Sequence, residues 1–109
     1  MARDEGLEEL VREELGGESG VSEKCMFGGI AWLLEGNLLC AASDRGLLVR
    51  LGKGADGWAV AAPGITSAVM AGRSLDGWVR ASPDAFGDDA VRRRLFDSAL
   101  AFVRTLPAK

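Results

Sequence analysis

The sequence predicts an α+β domain in which an antiparallel sheet carries its helices on one face. Three observations carry that reading. Apolar residues recur at helical spacing near both ends of the chain, short apolar segments separated by glycine-containing turns fill the middle, and 109 residues suffice for one core. A single domain over residues 1–109 follows, because two domains in this length would each be too small.

Leu7, Leu10, Val11 and Leu15 share one face of a helix over residues 4–15, with Asp4 as its cap, Glu5 and Glu8 in its first turn and Gly16-Gly17 ending it. A polar linker from Glu18 to Glu23 follows. The apolar run Cys25 to Leu34 reads as the first strand. Gly36-Asn37 then supplies a two-residue hairpin turn into a strand over 38–43, and Asp44-Arg45-Gly46 a bulged loop into a strand over 47–51.

Those turns would set Leu34 opposite Leu39, Trp32 opposite Ala41 and Ser43 opposite Leu47. The expected core face is then Ile30, Trp32, Leu34, Leu39, Ala41, Leu47, Val49 and Leu51. The reverse face carries Ala31, Leu33, Cys40, Ala42, Leu48 and Arg50, too apolar for an ordinary wetted surface. Leu33, Cys40, Leu48 and Arg50 are therefore the candidate interaction surface.

Residues 55–62 form a short helix stopped by Pro63-Gly64, and residues 65–71 and 78–81 two further strands joined by the turn-rich Gly72 to Gly77. Pro83 ends the sheet. Val91, Leu95, Ala99, Phe102, Val103 and Leu106 define the last helix, capped by Asp88 or Asp89.

Hydrophobic residues at 48% and charged residues at 27% describe a globular chain, and the net charge of −3 gives no general attraction to phosphate backbones or anionic lipid. Nucleic acid is an unfavoured partner and membrane is not expected. The acidic start Met1-Ala2-Arg3-Asp4-Glu5 lacks the form of a secretory signal, no segment reaches the roughly 20 apolar residues of a membrane span, and two sparse cysteines suit a reducing compartment. A cytoplasmic protein is the expectation.

No histidine is present, so the commonest general base and metal ligand is missing, and no enzyme, cofactor or metal site is expected. Cys25, beside Lys24, is the one candidate for a reactive thiol or small-ligand site, although both cysteines read first as small core residues; neither register considered permits a disulfide between Cys25 and Cys40. Gly52-Lys53-Gly54 lacks phosphate-loop spacing. Arg92, Arg93 and Arg94 form the one basic patch, a candidate nucleic-acid contact, against which stand the i,i+4 pairs Asp88–Arg92, Asp89–Arg93 and Arg93–Asp97 of a solvated helix face. Trp32, Trp58 and Trp78 read as packing residues.

The run from Lys24 to Asn37, containing Met26-Phe27-Gly28-Gly29 and apolar residues after it, resembles the opening strand of the TfoX/Sxy N-terminal-domain family. Leu47 to Arg50, the segment Gly72-Arg73-Ser74-Leu75-Asp76-Gly77-Trp78-Val79 and the ending Ala101 to Pro107 extend the resemblance over nearly the whole chain. It implies a fold similar to secretion chaperones, α-β(3)-α-β(2)-α, with the first strand running straight through Gly28-Gly29. Met26, Phe27, Gly28, Gly29, Gly72, Gly77 and Trp78 are its structural motif residues, and it supplies no catalytic residues. Named members regulate natural competence and carry a separate helical C-terminal domain; this sequence reaches Lys109 without one, which implies a stand-alone form. The expected function is a non-enzymatic regulatory or protein-interaction module with an unidentified protein partner or a second copy of itself. The alternatives are weak nucleic-acid binding through Arg92 to Arg94 and a thiol or ligand function at Cys25.

Overall fold

The computed structural model describes residues 4–26 and 28–109. Its elements are α1 (Glu5–Leu15), β1 (Val21–Met26), β2 (Gly29–Leu34), β3 (Asn37–Ser43), β4 (Gly46–Arg50), α2 (Gly57–Val60), β5 (Ile65–Met70), β6 (Arg73–Ala81), α3 (Pro83–Gly87) and α4 (Asp89–Val103). The strands form one antiparallel sheet in the order β1-β2-β3-β4-β6-β5. The fold is α+β with its helices on one face, as the end-helix periodicity requires.

Both long helices start where side-chain oxygens satisfy free amides. Asp4 accepts from the Leu7 amide and Asp88 from the Val91 amide, each at 3.1 Å. The buried stripes, Leu7, Val11 and Leu15 on α1 and Leu95, Phe96, Ala99 and Val103 on α4, then close over Ile30, Trp32, Leu34, Leu47, Val49 and Leu51 of the sheet. Burial of these apolar side chains holds the layers together.

The apolar run at Cys25 to Leu34 is a hairpin and not one straight strand. Met26 stands opposite Gly29 and Cys25 opposite Ile30, and Gly28 between the two strands supplies a positive φ of 73°. Half of the polar segment expected as linker becomes β1, an edge strand whose Ser22, Glu23 and Lys24 face water. An edge strand can be polar on both faces, which hid it from an apolar-pattern reading.

The next turn lies one residue earlier than expected. Glu35 and Gly36, with φ of 51° and 83°, form it, and Leu34 faces Asn37. The Asn37 side-chain Nδ2 donates to the Pro107 carbonyl at 2.9 Å and the Lys109 backbone amide to the Glu35 carbonyl at 2.8 Å, so the segment after α4 seals this turn. The following turn also shifts: Ser43 faces Gly46, and Ala42 faces Leu47.

A bulge in β3 completes the correction. Trp32 pairs with Cys40 but Leu33 with Leu38, leaving Leu39 as the extra residue. Leu39 and Cys40 therefore both reach the helix side, with Ala42 beyond them, while Ala41 turns to the open face. Ala41 leaves the expected core set, and Cys40 and Ala42 enter it.

Near the other edge, β6 begins at Arg73 and is longer than expected, because the turn is only Ala71-Gly72 and the residues up to Gly77 belong to the strand. Gly77 has φ of 83°, and a Cβ there would collide with the Gly52 and Lys53 backbone. Its carbonyl accepts from the Leu51 amide at 2.7 Å and the Gly52 amide at 3.1 Å, tying β6 to the exit of β4. Pro83 does end the sheet, and it also starts α3: Ser82 caps the Ala85 amide at 3.2 Å with Pro83 in the first turn.

Candidate interaction surface

The face of the sheet opposite the helices carries its own apolar centre. Ala31, Ala41, Leu48 and Ala68 are buried there, bordered by half-buried Met26, Leu38 and Trp78, with no helix residue among them. Small side chains at the centre and larger ones around it allow strands to shield it without a covering layer. Val69, 58% exposed, projects at its border.

Three of the four predicted surface residues belong to this face. Leu33 pairs with Leu38, Leu48 lies in the apolar centre, and Arg50 pairs with Trp78. The Arg50 guanidinium sits 5.2 Å from the Trp78 ring centroid and 5.5 Å from that of Phe102, so its charge is held against aromatic faces. Cys40 is the exception: the β3 bulge carries it into the helix-side core, where it is wholly inaccessible and burial pushes its thiol pKa well above the ordinary value.

Cys25, expected in the core, is exposed on β1, and both cysteines are free. Among the described residues no group of three histidine, cysteine, aspartate or glutamate side chains could hold a metal ion.

The basic patch is engaged within the chain. Arg92 donates to Glu14 of α1 at 3.0 Å, to the Phe86 carbonyl at 3.1 Å and to Asp89 at 2.8 Å, with its side chain mostly buried. Arg93 reaches Glu14 at 3.4 Å, and the Arg94 guanidinium stacks 4.1 Å from the Trp58 ring centroid. The expected solvated ladder of i,i+4 pairs is replaced by contacts that join α4 to α1, α2 and α3, because Glu14 approaches from another helix. That partner is invisible in the local sequence.

A second polar junction went unpredicted. Arg12 of α1 donates to both carboxylate oxygens of Glu23 at 2.9 and 3.2 Å, and the Trp32 indole donates to the same carboxylate at 3.1 Å. These hydrogen bonds, Arg12's first, hold Glu23 below its ordinary pKa against a smaller opposing effect of burial.

Of the motif residues, Gly28 makes the β1–β2 turn, Gly29 enters β2 against Ala42, Gly72 completes the β5–β6 turn, and Gly77 allows the close approach of β6 to residues 52–53. Met26 and Trp78 border the open apolar centre. Phe27 lies outside the described residues.

The motif glycines thus act as backbone devices spread over the sheet. A family model for the TfoX N-terminal domain matches residues 13–103, from within α1 to the last residue of α4. The chain belongs to the TfoX N-terminal domain family. No curated protein and no solved structure matches it. Family membership supports a regulatory, competence-related domain in general terms. No helix among the described residues is long and apolar enough to cross a membrane.

Proposed function

We propose that this TfoX N-terminal domain is a non-enzymatic regulatory module that works by protein contact through the open face of its sheet. The observation that carries the reading is the accessible apolar border of this face, half-buried Met26, Leu38 and Trp78 with the projecting Val69, around a centre of Ala31, Ala41, Leu48 and Ala68 that no helix covers. Apolar surface left outside the main core is a feature of partner-binding faces. The partner is a cytoplasmic protein acting in competence or transcriptional control, or a second copy of the chain.

The test pairs light scattering of the purified protein with affinity capture, followed by titration of each captured protein in purified form. Val69→Glu places a charge at the border of the face without disturbing a buried position. Loss of dimer or partner by this variant, with an unchanged circular dichroism spectrum, is the expected result. Wild-type and Val69→Glu proteins that bind identically would remove the open face from the reading.

A further inference from the structure

At one end of the open face, Ala41, Leu48, Val69 and Ala71 form the apolar wall of a hollow of about 590 Å³, and Arg45 and Arg80 line the same space. Arg80 projects from β6 opposite Leu48, and Arg45 sits on the β3–β4 turn. Among the described residues neither side chain has an ion pair or hydrogen bond. Asp44 lines the hollow too, but it pairs with neither arginine.

Two like charges side by side at an apolar wall repel each other and lose hydration. Burial, and after it the charge of Arg45, lower the pKa of Arg80. On the helix side Arg12 is matched by Glu23 and Glu9, Arg92 and Arg93 by Glu14, and Arg104 by Glu18, while Arg94 stacks on Trp58. The chain has more acids than bases and still leaves this pair uncompensated.

Further positive charge lies on this face along the paired strands: Lys24 stands opposite Ala31, Arg50 opposite Trp78 and Arg80 opposite Leu48, whereas Glu23 points to the helix side. A complementary partner is acidic where it meets the hollow and apolar beside it.

We propose that Arg45 and Arg80 form a clamp for an acidic side chain of a partner polypeptide, whose neighbouring apolar residues rest on Leu48 and Val69. A carboxylate matches the planar guanidinium fork, and its two oxygens can bridge both cations and offset one of their two charges. This rests on the protein-contact reading above and names the chemistry of its anchor.

The test is an NMR titration of arginine side-chain Nε–H signals and Leu and Val methyl signals. The probes are a short end-blocked peptide with one glutamate between leucines, its glutamine counterpart, and inorganic phosphate. The glutamate peptide should shift Arg45 and Arg80 together with Leu48 and Val69, and either the glutamine peptide or Arg80→Gln should weaken binding about tenfold, roughly 1.4 kcal/mol. Equal binding of the two peptides would overturn the clamp, as would phosphate saturating the arginine signals while neither peptide moves the methyl groups. If Val69→Glu loses the captured partner and Arg80→Gln does not, the open face stands and the clamp falls. If neither variant loses it, both readings fall.

Discussion

Met26 faces Gly29 across the β1–β2 turn, and that single pairing converts what looks like one apolar strand into a hairpin. Gly29 is then pressed against β3: a Cβ at this position would fall deep inside contact with the Ala42 carbonyl oxygen. Strand backbone cannot yield there without breaking the β2–β3 ladder. Gly29→Ala should cost about 2–4 kcal/mol by overpacking, or prevent soluble expression. Urea unfolding of Gly29→Ala beside Gly17→Ala, where nothing lies within 4 Å of an added Cβ, measures it. Equal stability of the two variants would refute the close approach.

Arg92 and Glu14, 78 positions apart, form the polar link between α4 and α1, with both side chains close to nine-tenths buried. Removing either partner leaves the other charged and poorly solvated. Arg92→Ala and Glu14→Ala should each destabilise by about 1–3 kcal/mol, with the double variant well short of the sum. A double-mutant cycle in urea reads the coupling, and additive costs would count against the pair. Because the three arginines are engaged in these contacts, Arg93→Ala should leave the mobility of nucleic acid in a low-salt gel shift unchanged.

The helices at either end were legible because their stripes and caps are local: Asp4, Asp88 and the i, i+3, i+4 repeats lie within a few residues of one another. The core residues of β4 and its exit were legible for the same reason, since Leu47, Val49 and Leu51 alternate without interruption. Register was not. Moving the turn by one residue, to Glu35-Gly36, slides the pairing by two and leaves each residue on its expected face, but the bulge at Leu39 exchanges the facing positions of β3 beyond it. Apolar residues occupy both faces of β3, so pattern could not decide between them. Arg45 and Arg80 were missed as a pair because only the β3–β4 turn and the β4–β6 ladder bring them to one hollow.

Glu23 gives the fold a dependence on acid. Hydrogen bonds from Arg12 and then Trp32 lower its folded pKa below the ordinary 4.5, so the carboxylate contributes stability that is present in full above that value. The contribution is lost as pH falls below 4.5 and through the lowered folded pKa, where the folded carboxyl takes up its proton. Glu23→Gln should be less stable than wild type near neutrality and approach it on acidification. Unfolding free energies measured in urea at stepped pH test this, and a difference independent of pH would show that Glu23 does not bind Arg12 as its carboxylate.

The two thiols should separate cleanly under labelling. Cys25 lies exposed on the edge strand and should react promptly with a disulfide reagent in the native protein. Cys40 is wholly inaccessible, and its raised pKa suppresses the thiolate further, so it should react only when β3 opens. One thiol per chain labels at once, the second after urea unfolding, and Cys25→Ser abolishes the prompt phase. The slow phase also probes the bulge, because only the extra residue Leu39 carries Cys40 to the helix side, beneath α1 and α4. Prompt labelling of both thiols would return Cys40 to the open face and restore the uninterrupted register that its neighbours suggest.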